Sequence, residues 1–279
     1  MKTILAIAIA ATCIACRPPA GEKKEISVSI LPQRYLVQRV AGDLVNINVM
    51  IPPGASPHAH DMTPGQLQKL HRAAIYFAIG TLPFELINLY PVLEERQDIL
   101  LVKHSEEDDT TTRHRRDQLV DPHVWMSPPR FKRMAATIAR VLGEKFPDHR
   151  DTIRQNLRRL DAEIDSIHRL ALRVTADKRG KTFLVYHPAL TYFAADYGMK
   201  QIAIEHDGKE PSPAHLKEII DTCRAGNINI VFIQSQFDEQ NAKAIAREIN
   251  GKVISIDPLN PDWKAEMLRL LDIIQQQMQ

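Results

Sequence analysis

Eight short runs rich in valine and isoleucine recur along this chain, each followed by a stretch of helical periodicity. They lie at residues 26–31, 45–51, 74–79, 99–102, 183–186, 201–204, 228–233 and 253–256. Several are apolar nearly throughout, which is how parallel strands covered on both faces read; a half-exposed strand would alternate. Strands alternating with helices imply βαβ units and an α/β fold. The runs divide four and four around a long break at 128–178. Inside that break Ile153, Leu157, Leu160, Ile164, Ile167 and Ala171 recur at steps of three and four, one face of a helix. The opposite face carries Arg154, Arg158, Asp161, Asp165 and Arg169 and reads as a solvated surface. No glycine or proline interrupts 150–176, so a single helix of about 27 residues and about 40 Å is allowed there. The chain is therefore expected to form two lobes, each a mostly parallel four-stranded sheet flanked by helices. They would occupy 25–148 and 179–279, joined by a long rigid α-helix at 149–178. No internal repeat is visible in the sequence.

The start of the chain has a different character. Lys2 precedes an uncharged apolar run at 4–15, too short to cross a hydrocarbon core of roughly 30 Å as a helix. A charged start, a short apolar stretch and small residues at its end make a secretory signal, here 1–15. Cys13-Ile14-Ala15-Cys16 resembles a bacterial lipobox with Cys16 as the lipid-attachment residue, although Cys13 stands where leucine is usual. Residues 16–24 then suit a flexible tether. The expectation is an exported protein, lipid-anchored at the cell membrane on its periplasmic side. Cys223, the third cysteine, falls in a helical pattern and reads as a small buried apolar residue. One thiol in the exported body argues against a thiolate metal site. Lys plus Arg number 36 against 34 for Asp plus Glu, a net charge of +2, which leaves no global basic field for nucleic acid.

Most of the eleven histidines have ordinary explanations. His71, His149, His168 and His215 sit beside charged residues in helical patterns and read as surface or helix-end positions. His104 and His114 flank a polar loop. Three others are placed differently. His58 lies in Ile51-Pro52-Pro53-Gly54-Ala55-Ser56-Pro57-His58-Ala59-His60, a loop that three prolines restrain, so the ring is presented at low ordering cost. His123 is braced by Pro122 and Pro128, and His187 ends the fifth run and precedes Pro188. Asp257 ends the eighth run and precedes Pro258. Loops at the carboxyl ends of parallel strands are where α/β folds bind ligands. Three imidazoles and one carboxylate make a four-coordinate set suited to Zn²⁺. The alternative, that each is a separately satisfied polar residue, stays open on spacing alone.

At these residues the chain resembles the metal-binding family of ABC-transporter substrate-binding proteins, which take up zinc or manganese in bacteria. The resemblance covers about residues 25–275. It rests on Gly54-Ala55-Ser56-Pro57-His58, on Asp121-Pro122-His123-Val124-Trp125-Met126-Ser127-Pro128, and on His187 with Tyr192 and Tyr197-Gly198. It continues through Glu210-Pro211-Ser212 and Asp257-Pro258-Leu259. It implies His58, His123, His187 and Asp257 as metal ligands, two lobes on a rigid helix, and a membrane permease with its ATPase as partners. The protein is expected to act as a monomer, with no nucleic-acid partner and no enzymatic activity.

Zinc is the expected cargo, with manganese as the alternative. Some manganese-binding members carry Glu where this chain has Gln234, and a neutral amide removes a hard anionic donor. His60 stands where an aromatic residue is common and is a candidate secondary or entrance residue. Residues 104–118 are a thin version of the His- and acid-rich loop of zinc-type members. Affinity should weaken as pH falls through about 6.5, because the imidazoles must be neutral to bind. A zinc-dependent hydrolase is the rival class, since three protein ligands and a water make a catalytic site. No His-Glu-x-x-His element is present, and Glu205 and Asp207 beside His206 are the best general-base candidates. A surface adhesin would need an exposed aromatic patch, and aromatics make up only 6% of the chain.

Overall fold

The structure, a computed structural model, describes residues 23–57, 60–107, 121–205, 211–235, 237 and 239–278. The signal, Cys16, His58 and His114 lie outside the described residues. The first lobe contains β1 (Lys24–Val28), α1 (Leu31–Ala41), β2 (Val45–Val49), α2 (Pro64–Leu70), β3 (Ala73–Ala78), α3 (Tyr90–Glu94), β4 (Leu100–Lys103) and α4 (His104–Glu107). Two long helices follow, α5 (Pro128–Lys145) and α6 (Arg150–Val174). The second lobe contains β5 (Thr182–Val185), α7 (Thr191–Asp196), β6 (Lys200–Ala203), α8 (Pro213–Ala225), β7 (Ile230–Gln234), α9 (Glu239–Glu248), β8 (Lys252–Ile256) and α10 (Trp263–Gln277).

All strand pairs are parallel, and the orders are β2-β1-β3-β4 and β6-β5-β7-β8. The two lobes thus repeat one topology that the sequence hides. Buried strand positions accept many apolar side chains, so topology persists where residue identity does not. In β5, Phe183 and Val185 join the core shared with α10, while Leu184 and Tyr186 face Ile219 and Cys223 of α8 and Ile245 of α9. Both faces are covered, which is why the run reads apolar throughout. Cys223 is fully buried, as its pattern implied.

The strut α6 has 25 residues, about 37 Å at helical rise. Its buried stripe is Ile153, Leu160, Ile164, Ile167 and Ala171, packed toward α1, α5 and α10. The polar face is less solvated than its sequence suggests. Glu163 accepts from the Tyr35 hydroxyl at 2.6 Å and pairs with Arg39 and Lys264, each at 3.0 Å, tying α1 and α10 to the strut. Asp165 pairs with Lys132 of α5 at 2.8 Å. His168, expected at the surface, is half-buried with its Nδ1 2.9 Å from the Tyr197 hydroxyl. His104 is likewise buried, its ring stacked on Phe77 at 6.1 Å, because β4 runs directly into α4.

Candidate metal site

In the second sheet β5 lies between β6 and β7, so the crevice opens beyond its carboxyl end. His187 stands there. Gln234, the last residue of β7, holds its backbone from both sides. The Gln234 Oε1 accepts from the His187 N–H at 3.4 Å, and Nε2 donates to the His187 carbonyl at 2.7 Å. Gln234, a candidate secondary donor, is therefore engaged as a backbone clamp. The His187 ring stacks on Phe237 at 5.3 Å, and its Nδ1 lies 3.1 Å from Glu205 Oε2. Glu205 is buried at 3% exposure and orients the ring, a different role from the general base considered for it.

His123 is fixed by a local turn. Asp121 Oδ1 accepts both the His123 backbone N–H at 2.9 Å and its ring Nδ1 at 2.7 Å. The Tyr192 hydroxyl of the second lobe donates to the Asp121 carbonyl at 2.8 Å. Trp125 Nε1 donates to the Pro258 carbonyl, and Trp263 Nε1 to the Trp125 carbonyl, each at 2.7 Å. These bonds lock the His123 turn against the loop after β8.

The rings of His123 and His187 meet edge to face, 5.1 Å between centroids. Both histidines are 6% exposed. With Ser56, Pro57, Gln234, Phe237, Pro258 and Leu259 they line a cavity of about 20 Å³, room for one water or one ion. Burial holds the His123 imidazole below its ordinary value, even though the Asp121 carboxylate opposes this. Burial works to raise Asp121, but the His123 ring outweighs it and keeps that carboxyl below the usual range. At neutral pH the pair is an ionised carboxylate and a neutral imidazole. The carboxylate accepts a hydrogen bond from Nδ1–H, which leaves the Nε2 lone pair for a cation.

The other expected ligands are placed differently. Asp257 follows β8, donates its N–H to Glu266 Oε1 at 2.8 Å and accepts from the Leu259 N–H at 3.2 Å. Its two following residues line the cavity; its own carboxylate does not. Among the described residues no three His, Cys, Asp or Glu side chains converge as a metal cage. His60 packs against Phe84 at 5.6 Å and its carbonyl accepts from Asn88 at 2.8 Å. His58 lies outside the described residues, one position beyond the cavity-lining Pro57. Sequence reasoning missed Asp121 as the partner of His123, and read Glu205 as a general-base candidate where the structure makes it the partner of His187. Asp121 carried a signal, an acid two residues before a candidate ligand. Glu205 carried none: the β5–β6 register, Val185 opposite Ala203, extends to set residue 205 beside residue 187.

Residues 26–278 match the ZnuA family model, described as zinc-uptake complex component A, periplasmic. The chain belongs to this family. A crystal structure of a ZnuA deletion mutant with zinc bound is 35% identical with a TM-score of 0.84, over 91% of this chain and 97% of that one. The zinc-binding lipoprotein AdcA of Streptococcus pneumoniae strain R6 is 25% identical over 93% of this chain and 55% of its own length. The high-affinity zinc uptake system protein ZnuA of Bacillus subtilis strain 168 is 23% identical over 92% of this chain and 86% of its own. Members are substrate-binding components of metal ABC importers, periplasmic or surface-exposed, and not enzymes. Membership removes the hydrolase reading.

Proposed function

We propose that this protein captures Zn²⁺ in the cleft between its lobes and delivers it to an ABC permease. The observation that carries the reading is the His123–His187 pair, each ring held through Nδ1 by a carboxylate, with both lining an ion-sized cavity. Two Nε2 atoms on one tetrahedral ion, each about 2.0–2.1 Å away, bring ring centroids to about 5.2 Å. The observed separation is 5.1 Å. His58 is the third donor, supported by the position of Pro57 in the cavity wall. Asp257 is the fourth, and its carboxylate must turn inward from the Leu259 bond as the ion arrives. Histidine-rich ligation without a second carboxylate in the first shell favours zinc over manganese. Export through 1–15 and lipidation at Cys16, with 16–24 as tether, would hold the protein at the membrane face where its permease lies; AdcA, a relative, is itself a lipoprotein.

Competition titration with a fluorescent zinc chelator tests this. The wild-type protein is expected to bind one zinc in preference to manganese. His123→Ala and His187→Ala are each expected to weaken binding at least tenfold, roughly the scale of losing even an outer partner of a ligand. Unchanged affinity in either variant would overturn the assignment of that histidine.

A further inference from the structure

The central strands of the first lobe, β1 and β3, end where β5 and β7 end in the second. Among the described residues no histidine follows either strand end. Instead the carboxyl of Glu85, without solvent exposure, joins the two strand ends from the start of a single π-helical turn, Glu85–Leu89. Its Oε1 accepts from the Ile79 N–H at 2.7 Å and from the Ser29 hydroxyl, and its Oε2 accepts from the Gly80 N–H at 2.6 Å. Gly80 has φ +104° and a Cβ there would strike Ser105, so only glycine presents this N–H. The Ser29 hydroxyl lies 2.8 Å from that of Tyr76.

The residues flanking Glu85 grip the loop that reaches the cavity. The Phe84 N–H donates to the Pro57 carbonyl at 3.2 Å, the Phe84 ring rests on that of His60, and Asn88 donates to the His60 carbonyl. Pro57 lines the cavity with His123 and His187. We propose that Glu85 is a positioning residue of the metal site: its ionised carboxyl fixes residues 79–84, and through Phe84 and Asn88 the backbone at Pro57 and His60, so that protonating Glu85 lowers metal affinity.

This inference rests on the metal-capture reading of the cavity. The ionised carboxyl accepts from two backbone N–H groups and one hydroxyl at once. A neutral acid must aim its own proton at Ser29, reversing the Ser29–Tyr76 pair, or release one N–H. Either change loosens the turn, and holding Pro57 and His60 in place beside an ion then costs more. Burial raises the Glu85 carboxyl to about 7, so both forms are populated near neutrality. The titratable and charged groups around the network are Tyr76 of β3, Tyr90 of α3, Lys103 of β4, whose Nζ lies 5.1 Å from the Tyr90 ring, and His104 of α4 stacked on Phe77. From α1 the neutral Gln33 caps the Ser29 and Ile30 N–H groups.

Zinc affinity of wild type and Glu85→Gln is measured by chelator competition from pH 5.5 to 8. Protonation of the ligands is common to both proteins and cancels in their ratio. The variant is expected to bind about fivefold to tenfold more weakly at pH 8 and within about twofold of wild type at pH 5.5, where wild-type Glu85 is itself neutral. Ser29→Ala, which removes a donor to the ionised form, is expected to follow the same pattern more weakly and serves if the glutamine variant does not fold. A ratio near one at every pH, or the same deficit at both ends, overturns the proposal while leaving metal capture intact. Failure of the wild type to bind any zinc or manganese overturns the functional reading itself.

Discussion

Replacing Asp121 by asparagine keeps the shape of the side chain and removes its charge. The wild-type carboxylate makes two bonds, to the His123 backbone N–H and to its ring Nδ1. The backbone bond is the same with and without metal and cancels from the binding free energy. The ring bond does not cancel, because a cation on Nε2 makes the Nδ1–H more positive. A hydrogen bond to a charged partner contributes about 1.5–3 kcal/mol and a neutral one about 0.5–1.5 kcal/mol, so the substitution loses about 1–1.5 kcal/mol. That is fivefold to tenfold in affinity, at about 1.4 kcal/mol per decade. Chelator competition at pH 7.5 measures it, and since burial holds His123 below its ordinary value, protons compete little there. Asp121→Ala, which also frees the turn, should lie nearer the hundredfold end of what outer partners of metal ligands supply, about 10–100-fold. Wild-type affinity in Asp121→Asn would refute the reasoning that the carboxylate tunes the ligand.

Glu85 also links stability to pH. Its carboxyl sits at about 7 when folded, against 4.5 ordinarily, so the folded protein holds this proton more tightly than the unfolded chain. The stabilisation from that proton is fully present below the unfolded value and is lost as pH rises through the folded one. Relative to Glu85→Gln, which cannot titrate, wild type should lose about 3 kcal/mol of stability between pH 4 and pH 8. Urea unfolding of both proteins across that range reads the difference, and parallel stability curves would refute it. Trp125→Phe removes the donor to the Pro258 carbonyl from a fully buried position and leaves a void. It should destabilise the protein by about 2–4 kcal/mol in urea titration, and an unchanged midpoint would mean that the clamp between the lobes contributes nothing.

All eight strands and the strut were legible in the sequence: the central strands β3, β5 and β7, covered on both faces, are apolar nearly throughout, β1 and the edge strands β2, β4, β6 and β8 keep short Val- and Ile-bearing runs, and a packed helix must repeat its apolar side chains at steps of three and four. The convergence of His123 and His187 on one cavity was legible for a related reason: prolines and strand ends fix where a backbone turns. What surrounds them was decided by tertiary structure. Glu205 reaches His187 only through the register of β5 on β6, across 18 residues that carry no local signal. Gln234 reads as a substituted ligand in the chain and serves as a backbone clamp in the fold. Glu163, which carried no signal in the sequence, joins α1 and α10 to the strut. Glu85, which carried no signal in the sequence, is the enclosed acceptor for Ile79, Gly80 and Ser29. Periodicity reports which side of an element is buried, and that is a property of the local chain. Which partner a buried polar group meets depends on strand register and helix packing, and those exist only once the two lobes have closed on the strut.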